Sequence, residues 1–162
     1  IYFNFTKIII SQVKYNFNMQ SIIYTDGACS GNPGIGGWGV VIINYDNKPI
    51  YLSGGKISTT NNQMELTAAI KALKYFDQST DITIWTDSKY LKDGIESWII
   101  KWKQNGWKTS NKNPVKNKEL WINLDKQIQR HTIVWKWIKG HAGNEYNEQA
   151  DNLARKYIED HR

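Results

Sequence analysis

A single cysteine, Cys29, stands among the 162 residues, which leaves no partner for an internal disulfide and no thiolate set for a structural zinc. That usage fits a reducing compartment, and a cytoplasmic protein is the expectation. No apolar run approaches the ~18 residues of a membrane span, so no membrane partner is expected. The first eighteen residues contain Ile8-Ile9-Ile10 but no small-residue cleavage site, which argues against a secretory signal. Arginine is scarce: Arg130, Arg155 and Arg162 are the only three among 21 basic residues. With the abundance of Ile, Asn and Lys, this reads as AT-rich coding and not as mechanism. Internal repeats and low-complexity linkers are missing as well.

What is present is enough for one domain with its own core, since a chain of this length buries roughly 70% of its unfolded surface. The chain opens with Ile, and Met19 closely precedes the first convincing strand. The expected organisation is a loosely ordered extension over residues 1–18 followed by a domain over 19–162. Net charge is +6 and the pI is 9.3, a balance that favours polyanionic partners, although a merely soluble basic protein would share it.

Ser21 to Thr25 is a short β-rich run ending at Asp26. Trp38 to Tyr45 is a second, and turn chemistry at Asp46-Asn47-Lys48-Pro49 leads to a third at Ile50-Tyr51-Leu52. These three read as an antiparallel meander. Thr60-Asn61-Asn62-Gln63 matches a capping box, in which the threonine oxygen meets a free N–H and the glutamine reaches back. Leu66, Ala69, Ile70 and Leu73 follow at helical spacing. Ile82 to Thr86 alternates as a strand and stops at Asp87-Ser88, a good N-cap for the next helix. A further helix runs from Glu119 through Gln129, then a strand from Thr132 to Ile138, then a final helix with Ala150, Leu153, Ala154 and Tyr157 on one face. The order β-β-β-α-β-α-α-β-α predicts an α/β fold. Its mixed five-stranded sheet would hold three antiparallel strands plus two parallel ones joined by right-handed crossovers, with helices on both faces.

Four acids sit in segments that explain why a carboxylate would be held there: Thr25-Asp26-Gly27, Asn62-Gln63-Met64-Glu65, Thr86-Asp87-Ser88 and Gln149-Ala150-Asp151. Asp26 and Asp87 follow strands that would lie side by side and parallel, so both would emerge at one end of the sheet, where open α/β folds bind ligands. Glu65 falls early in a helix, where the N-terminus favours negative charge. Each acid alone reads as a solvated or capping carboxylate; it is the four together that point to chemistry. Four converging carboxylates are what a two-metal phosphodiester-cleaving centre needs, with Mg²⁺ as the hard cation that oxygen ligands suit. His141 alone reads as an ordinary surface histidine, but its glycine-flanked loop, Lys139-Gly140-His141-Ala142-Gly143, leads into the helix of Asp151 and would let it swing over the same site and move a proton.

The run GACSGNPGIGGWG, from Gly27 to Gly39, lacks the Gly-Lys-Ser/Thr ending of a P-loop. It reads as a tight connection that lets a nucleic-acid backbone come close. Trp98 and Trp102 share a helix face. Around and after them come Lys101, Lys103, Trp107, Lys108, Lys112, Lys116 and Lys118, with no acid between Glu96 and Glu119. Tryptophans so spaced are commonly core; the interleaved lysines point to a basic projection that tracks phosphates.

Five strings in order, TDGACSGNPGIGGWG, TTNNQMELTAAI, TDSKYL, GWKT with NPVKNKELW, and KGHAGNEYNEQADNLA, resemble type 1 ribonuclease H, over Met19 to about Ile158. The resemblance implies a ribonuclease H-like fold. It also implies an endonuclease that cuts the RNA strand of an RNA–DNA hybrid with Mg²⁺ or Mn²⁺, leaving 3′-hydroxyl and 5′-phosphate ends. The family's metal-binding acids match Asp26, Glu65, Asp87 and Asp151, with two ions per site, and its loop histidine matches His141. Positions that touch the RNA strand match Asn32, Asn61, Asn62 and Gly27-Ala28-Cys29. The DNA-phosphate pocket matches Thr60, Ser88 and Asn117, and the DNA-strand channel matches Trp98, Trp102 and Trp121. Two positions depart from the family pattern. Gln104 and Asn105 stand where strongly basic members carry Lys or Arg, and Lys89 stands where glutamine is common. A free-standing monomer is expected, with a reverse-transcriptase fragment or a non-catalytic hybrid-binding module as rivals.

Overall fold

The computed structural model describes residues 20–139 and 143–162. The extension expected over residues 1–18 and the histidine His141 lie outside the described residues. Strands β1 (Ser21–Ser30), β2 (Gly34–Ile43) and β3 (Pro49–Thr59) form an antiparallel meander. β4 (Asp81–Thr86) lies parallel to β1, and β5 (Thr132–Trp137) parallel to β4, which gives one sheet in the order β3-β2-β1-β4-β5. This is the α/β sheet that the order of elements predicts.

Period-two alternation decides what each strand buries. Along β2, Val40 and Ile42 point into the main core with Ile23, Ile82 and Ile84, whereas Val41 and Ile43 point into a smaller cluster with Ala150. Helix α1 (Asn61–Lys74) covers the main core, with Leu66, Ala69, Ile70 and Leu73 all buried at the spacing the sequence shows. Helix α5 (Glu145–Asp160) covers the opposite face of β1–β3. Helices therefore lie on both faces. Thr60, Ser88 and Asn144 cap their helices, each side chain accepting the N–H three residues on.

The glycine-rich run is not a connection. β1 continues through Asp26 to Ser30 and β2 already begins at Gly34, so most of the run is paired sheet. A Cβ at Gly37 would lie 2.0 Å from the Ala154 carbonyl oxygen, and one at Gly39 would lie 2.1 Å from that of Ala150. These glycines let α5 sit directly on the sheet. A strand rule that scores side chains cannot see this, because the feature being used is a missing side chain. β3 likewise runs to Thr59, well past the expected Leu52.

The helix expected after Ser88 is built in three pieces: α2 (Lys89–Asp93), a π-helical turn (Gly94–Trp98) and α3 (Ile99–Gln104). The π turn starts where a side chain cannot fit, since a Cβ at Gly94 would lie 2.0 Å from the Trp121 ring. Trp121 belongs to α4 (Lys118–Arg130), which packs against α1. Among the described residues, no helix is long and apolar enough to cross a membrane.

Candidate active site

The β1–β4 pairing runs from Ser21 opposite Ile82 to Tyr24 opposite Trp85; carried two residues further, that register sets Asp26 beside Asp87. Asp26 is inside β1, not past its end, because the hairpin with β2 keeps β1 extended to Ser30. Asp87 follows β4 directly. Glu65 comes from the second turn of α1. Gly27 makes the meeting possible: a Cβ there would lie 2.4 Å from the Glu65 backbone nitrogen. One oxygen from each of Asp26, Glu65 and Asp87 lies within 4.8 Å of the others. The acids open on a cleft of about 540 Å³, also lined by Cys29, Asn61, Asn147, Asp151 and Arg155.

The cluster is electrostatically strained. Burial, then the charges of Asp87 and Asp151, push the Asp26 carboxyl up to about 8, and the Gly27 N–H at 2.9 Å offsets only part of this. Glu65 is raised well above the carboxylate range, by burial first and then by Asp26 and Asp87. Its Oε2 is buried without a hydrogen-bond partner. Crowded carboxylates with an unpartnered buried oxygen are a costly arrangement when ionised with no cation between them. For a hard divalent cation that takes oxygen ligands, they are a fitting one.

Asp151 faces the same cleft but stands outside the group of three. Arg155, one turn on in α5, donates Nε–H to both its oxygens at 2.9 and 2.8 Å. Asn147, one turn before, is buried and its Oδ1 has no partner. Residues 147, 151 and 155 share one helix face, a spacing that is visible in the sequence but that Asp151 taken alone does not reveal.

Of the positions matched to the RNA strand, Asn32 and Asn61 are joined: the Asn61 N–H donates to Asn32 Oδ1 at 3.1 Å, which ties the β1–β2 turn to the start of α1. Gly27 and Cys29 line the cleft with Asn61, and Asn62 is half-buried beside them in α1. The hydroxyls of Thr60 and Ser88 accept capping N–H groups. Asn117, held in the left-handed region at φ 58°, links both capped helices. Its Oδ1 accepts from Gln63 Nε2 at 3.1 Å, and its Nδ2 donates to the Tyr90 hydroxyl at 3.1 Å. Gln63 therefore does not reach back to the cap, as a capping box would have it. Its carbonyl accepts from the Thr59 hydroxyl at 2.8 Å and its amide turns to Asn117. Asn117 opens on a groove of about 400 Å³ that it shares with Lys56, Gln63 and Lys118.

Trp98 and Trp102 are half-buried and in contact, with ring centroids 5.7 Å apart. Trp121 is different. It is 0% exposed and spends its indole N–H on Tyr90 at 3.0 Å, so it backs the aromatic wall from the core and offers no surface to a ligand. Its place is fixed by the space over Gly94, which no local pattern reveals. Tyr90, whose hydroxyl gathers Trp121 and Asn117 while its ring meets Trp98 at 5.6 Å, carries no signal in the sequence at all.

The family model described as RNase H matches residues 18–159. A ribonuclease H of Ehrlichia ruminantium is 58% identical over 137 residues, covering 85% of this chain and 93% of that protein. Among solved structures, LC9-RNase H1, a type 1 RNase H with the type 2 active-site motif, superposes with a TM-score of 0.79 at 28% identity over 90% of this chain and 74% of that one. LC11-RNase H1, solved in complex with an RNA/DNA hybrid, gives a TM-score of 0.61 at 26% identity over 86% of this chain and 97% of that one. A match over nearly the whole described fold settles the classification: this chain belongs to the ribonuclease H family of hydrolases.

Proposed function

We propose that the protein is an endoribonuclease that hydrolyses the RNA strand of RNA–DNA hybrids and leaves 3′-hydroxyl and 5′-phosphate ends. The observation that carries this is the trio Asp26, Glu65 and Asp87, whose oxygens lie within 4.8 Å of one another. Bound Mg²⁺, or Mn²⁺, as a pair of ions would supply an activated water and stabilise the leaving 3′ oxygen. Asp26 and Asp87, from neighbouring parallel strands, would hold the cations in the cleft, with Glu65 closing the site from α1. Asp151 would join them on leaving Arg155. His141, from the loop between β5 and α5, would move a proton at the leaving group without holding metal.

Selection of a hybrid needs a test for RNA on one strand and DNA on the other. Asn32, Asn61, Asn62 and the Gly27–Cys29 backbone would meet the RNA strand, where amides can distinguish a 2′-hydroxyl. Thr60, Ser88 and Asn117 would take a phosphate of the DNA strand, with Trp98 and Trp102 as the wall along which it runs. Asn117 suits phosphate binding because its amide is gripped from both sides, which leaves its second N–H as a donor in the groove that it lines. The protein would act as a monomer in the cytoplasm. An end-labelled hybrid incubated with and without Mg²⁺ tests the reading. Cation-dependent cleavage of the RNA strand, with single-stranded RNA and duplex DNA left intact, is the expected result. Equal cutting of all three substrates, or none of the hybrid, overturns it.

A further inference from the structure

Asp87 is the shared wall of two depressions. On one side lies the acidic cleft; on the other lies a groove of about 320 Å³ lined by Ser88, Lys89, Lys92, Asp93, Trp137 and Lys139. The sheet explains the adjacency. β4 and β5 are parallel with Thr86 opposite Trp137, and the Ile138 N–H continues the ladder to the Thr86 carbonyl at 3.0 Å. Lys139 therefore leaves β5 at the same end of the sheet where Asp87 leaves β4. α2 then brings Lys89 and Lys92 over the groove from the other side.

The groove's charge is available. Lys92 and Lys139 form no ion pair among the described residues. Lys89 pairs with Asp93 at 3.4 Å, but its side chain is 87% exposed, and such a pair holds weakly. The floor is fixed: the Trp137 ring stacks on Trp135 with planes 7° apart and donates its N–H to Glu96 at 3.1 Å. A flat apolar wall flanked by unpaired ammonium groups suits a sugar–phosphate backbone, in which each phosphate meets a cation and each ribose meets a ring.

Resting on the proposed hybrid-cleaving function, we infer that this groove is a subsite for the strand being cut, taking one or two RNA phosphates beyond the scissile bond on the β5 side. A strand that enters over Asn32 and Asn61, at the β1–β2 side, and crosses Asp26 and Asp87 leaves the acidic cleft here. Lys92 and Lys139 are the cations that receive it.

The test is equilibrium binding of the full chain to a fluorescent RNA–DNA hybrid without Mg²⁺, across a salt series, beside Mg²⁺-dependent cleavage of the same hybrid. Lys92→Ala with Lys139→Ala should weaken binding about tenfold and lower the salt slope by roughly 1 to 2, since each lysine–phosphate contact contributes about one. Lys92→Arg with Lys139→Arg should restore both. The loss should vanish on hybrids whose RNA strand is shortened from one end and persist when it is shortened from the other. Unchanged affinity and slope in the alanine pair overturn the subsite, as does a loss indifferent to which RNA end is removed. A wild-type chain that binds the hybrid without cutting it overturns the proposed function instead, and the slope comparison still decides the groove.

Discussion

The acid cluster and the aromatic wall meet the chain around Ser88, at Asp87 before it and Tyr90 after it, and they are built on opposite principles. Around Asp26, Glu65 and Asp87 the fold gathers like charges, buries two of them and leaves an oxygen unpartnered. Around Tyr90, the fold satisfies what it buries: Trp121 and Asn117 donate to one hydroxyl, Gln63 completes Asn117, and Thr59 completes Gln63. The first region would be relaxed by a cation, and the second has its hydrogen bonds made with nothing bound. The proposed reaction would use both, one site that a metal would complete and one surface already formed.

Removing a charge from the first region should have the largest consequence. Asp26→Asn and Asp87→Asn should each abolish hydrolysis while hybrid binding survives, because an amide is a poorer ligand for a hard cation. Asp26→Asn should also raise the melting temperature of the metal-free protein at pH 8, where the wild-type acids repel. Turnover in a folded variant, checked by circular dichroism, refutes the assignment if it stays near wild type. Next in size is His141→Ala, which should slow turnover by roughly 10²-fold with metal affinity intact by calorimetry.

The second region breaks differently. Tyr90→Phe removes the shared acceptor and strands two donors, one of them fully buried on Trp121, at a cost of about 1–3 kcal/mol in denaturant unfolding. Its turnover at saturating hybrid should hold while its Michaelis constant rises, since the acids are untouched. A variant with wild-type stability would show that the network is incidental.

The strain itself should be visible in pH. Asp26 titrates at about 8 in the fold and at about 3.9 when unfolded, so the native state binds more protons over that window. Stability of the metal-free protein should therefore fall as pH rises from about 4 to about 8, and the melting temperature with it. Added Mg²⁺, which would bind the deprotonated native cluster, should reverse the trend. A profile that rises through that window without metal would mean that the acids do not crowd one another in solution.

The smallest effect concerns the handle at the end of α3, where Gln104 and Asn105 are exposed beside Trp102 and Lys103. Gln104→Lys with Asn105→Arg should lower the Michaelis constant and steepen the salt dependence by up to ~2, with turnover nearly unchanged. If neither moves, the projection does not meet the substrate.

By itself the sequence determined the order of elements, the caps at Thr60 and Ser88 and the three acids that the fold gathers, Asp26, Glu65 and Asp87. These depend on near neighbours: periodicity, turn chemistry and cap spacing act within a few residues. Strand ends were less legible, because pairing with β2 extends β1 through Asp26 against any local stop signal. The tertiary structure alone decided which side chains share a space. It turned the glycine run into the seat of α5, drew Glu65 to Asp26 across Gly27, and withdrew Trp121 from the surface into the gap over Gly94. It also drew Gln63 away from its cap to Asn117. Each of these is a contact between segments far apart in the chain or a competition between two possible partners. The outcome is set by volume and distance, and a linear pattern records neither.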